Sequence, residues 1–336
     1  MSIVVPILNE EATLETFLAT VVPIIEGLDL EGYEILFIDD GSTDQSVARL
    51  EDFRREYPAI RVVSLSRNFG KEAALTAGLE WCRGDAVIPM DVDLQDPPEL
   101  ITDFVRLWRE GFDIVFGKRE ERRADSAAKR WTAGRFYKFF NAIADRPIEE
   151  NAGDFRLMSR RVVEATLQLR ERNRFMKGIF AWVGFSQTSV LYQRPERSAG
   201  TTKFNYWKLW TLALDGITGY STVPLKIWTY VGVFFGFCAF VYTAILVGTT
   251  IIFGRDVPGY ASTLVAILVL GGVQLISLGV IGEYLSRLYI ESKQRPIYLV
   301  QKAVGFNEDA PKPAHRRISV GLTPPHRRGE MLSTDL

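Results

Sequence analysis

Two apolar runs in the last third of the chain constrain it more than any other feature. Between Lys226 and Glu283 the only charged residues are Arg255 and Asp256, which split the stretch into residues 227–253 and 258–281. Each run exceeds the ~20 residues a helix needs to cross the hydrocarbon core of a bilayer. Length and purity together argue against a pair of buried soluble helices. The connection through Gly254, Arg255, Asp256 and Val257 is short, so the runs read as a transmembrane hairpin. Lys203, Lys208 and Lys226 flank its entry, and Arg287, Lys293, Arg295 and Lys302 flank its exit. The bias of Lys and Arg toward cytoplasmic flanks then predicts that both termini, and everything before the hairpin, face the cytoplasm. Trp207, Trp210 and Trp228 stand where an interfacial aromatic belt is expected. Glu283 and Arg287 are one turn apart and read as an ordinary interfacial ion pair.

Ahead of the hairpin, short apolar runs alternate with helical periodicity. Residues 3–8 read as a strand, and Leu14, Phe17, Leu18 and Val21 then fall on one helix face. Residues 33–38 form a second strand that ends in Asp39-Asp40-Gly41-Ser42. A third, 62–65, ends in Ser66-Arg67-Asn68-Phe69-Gly70-Lys71 and leads to a helix through Trp81. A fourth, 86–89, delivers Asp91 and Asp93, and residues 113–117 form a fifth. Such alternation predicts an α/β, Rossmann-like, mostly parallel sheet with helices on both faces. Polar residues gather at the carboxyl ends of the strands, where open α/β sheets bind ligands. Met1 runs straight into the first strand without a basic n-region or cleavage site, so no signal peptide is expected.

Composition removes several chemistries. A net charge of −1 argues against a nucleic-acid partner. The two cysteines, Cys82 and Cys238, make no disulfide framework, and a reducing setting fits. Both histidines, His315 and His326, lie in the polar tail, which excludes His-based catalysis or a His-built zinc site in the folded part. Carboxylates, Lys, Arg and a borrowed metal remain. Asp91 and Asp93 can share one hard cation with substrate phosphate oxygens, as Mg²⁺ sites do; the plainer alternative is a turn rich in Asp and Pro. Residues 118–144 are strongly basic, with Phe136, Phe139, Phe140 and Ile143 at helical spacing. They read either as an interfacial helix on an anionic membrane or as a solvated basic helix on the sheet. From about 307 onward no apolar periodicity survives, and disorder is expected.

The opening Val4-Val5-Pro6-Ile7-Leu8-Asn9-Glu10, the Asp39-Asp40-Gly41-Ser42 turn and Asp91-Val92-Asp93 resemble the GT-A glycosyltransferases of family 2. Further motifs narrow the resemblance to the bactoprenol glucosyltransferases, relatives of the dolichol-phosphate mannose synthases. They are Asn68-Phe69-Gly70-Lys71-Glu72, Asp91 through Pro97, Gly153 through Arg160, the Lys203-Phe204 loop, Gly282-Glu283-Tyr284 and Arg295-Pro296. The resemblance covers roughly residues 1–300. It implies glucose transfer from UDP-glucose to undecaprenyl phosphate on the cytoplasmic leaflet of the inner membrane, with Mg²⁺ or Mn²⁺, for O-antigen or envelope glycosylation. The lipid bilayer is then a partner, nucleic acid is not, and a homo-oligomer is left open.

Residue by residue, Pro6, Glu10 and Asp39 or Asp40 are expected at the nucleoside, with Lys71 and Asp91 at the nucleotide sugar. Asp91, Asp93 and, by resemblance, Gln95 hold the metal. Asp154 matches the family's candidate base, or acts as a positioning group. Arg119, Lys129, Arg130 and Lys203 are candidates for the lipid phosphate. The expected domains are a catalytic unit over 1–203, a juxtamembrane amphipathic helix over 204–223, two spans over 224–285 and a basic tail over 286–336. Rival readings are transfer of another sugar, from GDP-mannose or a UDP-formamidoarabinose donor, and a non-catalytic scaffold. A processive synthase fits less well, because Arg130-Trp131 has Ala127 where such enzymes carry Gln.

Overall fold

The computed structural model describes residues 1–119, 152–192 apart from 170, 173 and 175, 223–253 and 259–306. In chain order the elements are β1 (Ser2–Ile7), α1 (Leu14–Glu26), β2 (Glu34–Asp39), α2 (Ser46–Phe53), β3 (Ile60–Leu65) and α3 (Lys71–Trp81). Then come β4 (Ala86–Pro89), α4 (Leu100–Arg109), β5 (Ile114–Arg119), β6 (Ala152–Ser159), α5 (Arg160–Gln168), α6 (Met176–Val183) and β7 (Gln187–Tyr192). Two long helices, α7 (Val223–Phe253) and α8 (Tyr260–Ser292), precede a last strand, β8 (Val300–Val304).

The eight strands form one sheet in the order β7-β5-β6-β4-β1-β2-β3-β8. Alternate side chains of a strand face opposite sides, and β1 shows the consequence. Ile3, Val5 and Ile7 pack with Phe17 and Leu18 of α1 and Phe104 of α4, whereas Val4 packs with Leu75 of α3 and Val162 of α5. Helices therefore cover both faces, as the sequence pattern implies. Helix α3 lies so close to the sheet that a Cβ at Gly78 would sit 2.1 Å from Cγ1 of Val4.

The sheet is more mixed than the alternation suggests. The pairings β1–β2, β1–β4, β2–β3 and β5–β7 are parallel, but β6 runs antiparallel to both β4 and β5, and β8 runs antiparallel to β3. Strand β8 lies in the stretch that the sequence grouped with the basic tail. Its Val-Gln-Lys-Ala-Val is too short and polar to stand out, yet it completes the sheet edge. Tyr298 anchors it: the ring is buried and its hydroxyl donates to Glu80.

Helices α7 and α8 contain stretches long and apolar enough to cross a membrane, Ile227–Ile252 and Val265–Ser292, with their apolar side chains outward. At 1.5 Å per residue α8 is about 50 Å long, well beyond a ~30 Å hydrocarbon core. Its charged residues, Glu283, Arg287 and Glu291, all fall in its last turns. Arg287 and Glu283 pair across one turn of it at 3.0 Å, as the sequence suggests. Most of the basic segment 118–144, the 204–222 stretch, the connection 254–258 and the tail from 307 lie outside the described residues. So do Lys129, Arg130 and Lys203.

Candidate active site

The carboxyl ends of β1, β2, β3 and β4 open on one edge of the sheet. Parallel register sets Pro6 beside Ile38 and Ile7 beside Asp39. Beyond β1, Asn9 takes a left-handed conformation (φ 56°). Its Oδ1 accepts the Thr43 N–H at 2.8 Å, and its own N–H donates to Ser42 Oγ at 2.9 Å. The Glu10 N–H donates to Ser46 Oγ at 3.0 Å, and the Glu10 carboxylate accepts from Thr13 Oγ1 at 3.0 Å. The loops after β1 and β2 are thus laced into one rigid floor.

The two aspartates that the sequence could not tell apart do different work. Asp39 is buried and commits Oδ1 to the Ser42 N–H at 2.8 Å, closing the turn on its own strand. Asp40, equally buried, accepts from Phe69 N–H at 2.7 Å and Gly70 N–H at 2.9 Å, one bond to each carboxylate oxygen. It therefore holds the loop after β3 and sets where α3 begins. Gly41, which follows them, is required: its φ is +81°, and a Cβ would meet the Arg67 carbonyl carbon at 2.7 Å.

Strand β4 delivers the Asp91 turn. The Met90 N–H is still bonded to Val4 O at 2.9 Å, and the buried Val92 pins the loop between two solvent-facing carboxylates. The left-handed Leu94 (φ 52°) turns the chain away. Asp93 accepts from the Gln95 N–H at 3.2 Å and from the Gln95 side-chain amide, so these two predicted metal ligands already face each other. Lys71, the first residue of α3, places Nζ 2.7 and 2.8 Å from the two oxygens of Asp91. Both side chains are close to half exposed, at 45% and 44%. An ion pair in that setting contributes ~0–1 kcal/mol to stability, so it leaves a cation and an anion available to a ligand. The Tyr192 hydroxyl donates to Asp96, tying the end of β7 to the same turn. Nothing local in the sequence signals that contact between residues 96 apart.

These donors suit a hard divalent ion. Asp91 and Asp93 supply carboxylate oxygens from a single turn, and Gln95 adds an amide oxygen. Among the described residues no cluster of three His, Cys, Asp or Glu groups forms here. A cation at this turn would take its other ligands from water and substrate phosphate, the usual arrangement for Mg²⁺. Asp154 and Arg119 belong to β6 and β5, and only their backbone is described. Strand β6 pairs with β4 through Ala86–Ser159 and Val87–Met158.

The comparisons agree with this architecture. The glycosyl transferase family 2 pattern matches residues 2–167, and the GtrB C-terminal hairpin pattern matches residues 223–288. An uncharacterized glycosyltransferase of Synechocystis sp. is 53% identical over 306 residues, covering 91% of this chain and 96% of that protein. The bactoprenol glucosyl transferase of Shigella phage SfV is 52% identical over 303 residues, covering 90% of this chain and 98% of the relative. A prophage bactoprenol glucosyl transferase homolog of Escherichia coli is 51% identical over 304 residues, again 90% and 98%. These relatives are matched almost end to end, over 90–91% of this chain and 96–98% of their own lengths. The chain belongs to glycosyl transferase family 2, as a GT-A glycosyltransferase of the bactoprenol glucosyl transferase type.

Proposed function

We propose that this enzyme transfers glucose from UDP-glucose to undecaprenyl phosphate on the cytoplasmic leaflet of the inner membrane, with inversion at the anomeric carbon and with Mg²⁺ or Mn²⁺. One observation carries the reading. The strand-end carboxylates belong to the same packed unit as the outgoing membrane helix, because the Arg172 N–H of the catalytic domain donates to Glu291 Oε1 of α8 at 2.6 Å. A polyprenyl phosphate cannot leave the bilayer, so a catalytic edge fixed to a membrane helix suits that acceptor.

In this reading Pro6, Glu10 and Asp39 receive the nucleoside. Asp39 is the better candidate for the uracil N–H, since only one of its oxygens is committed to the Ser42 turn. Asp40 serves as the buttress of the Lys71 loop. Lys71 turns its charge from Asp91 to the diphosphate when the donor enters. Asp91, Asp93 and Gln95 hold the divalent ion, which supplies Lewis-acid neutralisation of the departing nucleotide. The acceptor phosphate is largely dianionic near neutral pH, because its second pKa is ~6. Its oxygen forms the new bond to the anomeric carbon as the bond to the β-phosphate oxygen breaks, and UDP leaves with the electron pair. A strong base is therefore unnecessary, and Asp154 acts by orienting the acceptor, consistent with the weight of positioning in such reactions. Arg119, Lys129, Arg130 and Lys203 remain candidates for gripping the phosphate, where an Arg can bind two oxygens at once.

The test is transfer of labelled sugar to undecaprenyl phosphate in membranes containing this protein, using UDP-glucose, GDP-mannose and a UDP-formamidoarabinose donor side by side. UDP-glucose is expected to be used best. Preference for another donor would leave the lipid acceptor intact and replace the sugar.

A further inference from the structure

Lys71 also faces a second space, one that the reading above leaves without a role. A cleft of about 480 Å³ lies between the start of α3 and the chain leaving α8. Its charged lining is Lys71, Arg172, Arg174, Lys293 and Arg295 against Glu72. Two of these arginines form its frame. Arg174 is buried and donates to Thr76 Oγ1 at 3.1 Å, to the Glu171 carbonyl at 3.2 Å and to the Leu169 carbonyl. Arg172 donates to the Arg295 carbonyl and lies 3.8 Å from Glu291. Lys293 and Arg295 form the outer lip and are exposed. Lys293 Nζ lies 4.1 Å from the centre of the Tyr289 ring.

Two features say what such a cleft takes. Even with Asp91 on Lys71 and Glu291 on Arg172 counted beside Glu72, cations outnumber carboxylates five to three around the cleft, which favours an anion. In addition, the cleft lies at the end of the helix that holds the second apolar span: Ile290, within the stretch Val265–Ser292, is itself part of the cleft wall. A cationic cleft at the foot of an apolar, membrane-length helix fits an amphiphile rather than a free nucleotide. We propose that this cleft receives the phosphate monoester head of the polyprenyl acceptor, with its chain lying along α8. The monoester carries nearly twice the charge of a phosphodiester headgroup near neutral pH, which favours it over bulk phospholipid. Lys71 spans the cleft and the Asp91 turn, so a phosphate bound there lies beside the donor. The assignment rests on the polyprenyl-phosphate reading above and extends it to residues other than Arg119, Lys129, Arg130 and Lys203.

The test uses the full chain and a Lys293→Gln/Arg295→Gln double variant, with K293R/R295K as the charge-preserving control. A basic residue near an anionic surface changes binding roughly fivefold, so the double variant should raise the KM for undecaprenyl phosphate roughly 25-fold. The donor KM should be unchanged, and the charge-preserving control should behave as wild type. Because the hairpin would carry the protein into any vesicle, the sources are separated with protein already reconstituted in phosphatidylcholine vesicles, by the change in its tryptophan fluorescence as the vesicles carry increasing undecaprenyl phosphate or phosphatidylglycerol. Loss of the response to undecaprenyl phosphate alone supports the assignment. Equal loss on phosphatidylglycerol, or an unchanged acceptor KM, overturns it. Wild-type protein that binds undecaprenyl phosphate through this cleft but transfers no sugar would leave the cleft standing and remove the proposed function.

Discussion

Asp40→Asn separates a buttress from a ligand, and its effect can be worked out from the geometry. In the native protein each carboxylate oxygen of Asp40 accepts one backbone N–H, from Phe69 at 2.7 Å and Gly70 at 2.9 Å, at 4% exposure. Asparagine keeps one acceptor and turns its amide hydrogens toward the other N–H. One charge-assisted hydrogen bond is lost, at about 1.5–3 kcal/mol, and a buried donor is left facing a donor. A net loss of about 2–3 kcal/mol follows, equivalent to a Tm lower by about 4–12 °C for a domain of this size. The displaced loop carries Lys71, so catalysis should fall as well; a shift of ~1 Å in a positioning group can lower activity ~100-fold. The assays are thermal unfolding of the detergent-solubilised protein and steady-state transfer kinetics on the same preparation. An unchanged Tm with a raised donor KM would refute the buttress and make Asp40 a nucleotide contact.

Other consequences are independent of that one. Asp93→Ala should lower kcat at least ~100-fold, because the divalent ion provides several kcal/mol of charge stabilisation. Its Tm should stay within about 1 °C, since the described partners of Asp93 lie in its own exposed turn; a large drop in Tm would make Asp93 structural. Asp113 behaves differently: burial opposes its ionisation, but hydrogen bonds from Arg161, Ser186 and Ser159 prevail and hold its carboxyl below the usual range. Its folded-state pKa is depressed, so its stabilisation is complete above the unfolded value of ~3.9 and is lost as pH falls through the folded value. Urea midpoints should therefore drop less steeply on acidification in D113N than in wild type, and parallel curves would contradict this. Burial pushes the Cys82 thiol up to about 11, so native protein at pH 7.5 should not be alkylated there, by peptide mapping, until it is unfolded. Rapid native labelling would show that the site opens.

Much of this architecture is legible in the sequence because its signals are local. Strands β1 to β5 are each built on a short apolar run, and the hairpin is the longest such signal in the chain. The Asp91 turn and Lys71 are legible as motifs, although their contact across 20 residues is not. What stays hidden depends on distant partners. The residues of β6 read as a motif, not a strand, since β6 owes its pairing to β4 and β5, far from it in sequence. Strand β8 owes its place to β3, and the Tyr298 just before it to Glu80, both far back in the chain. Asp39 and Asp40 are adjacent and chemically identical, and only the backbone beside each one assigns its work. Arg172 lies 123 residues before Arg295, and the return of the chain from α8 makes it a neighbour of Lys293 and Arg295.

The most direct measurement is sugar transfer from UDP-glucose to undecaprenyl phosphate by protein stripped with EDTA, followed by titration with Mg²⁺ or Mn²⁺. Activity should vanish on chelation and return in proportion to added cation, with the titration shifted to higher concentration in D91N. Undiminished turnover in the stripped preparation would contradict a divalent ion held by Asp91 and Asp93 as the centre of this site.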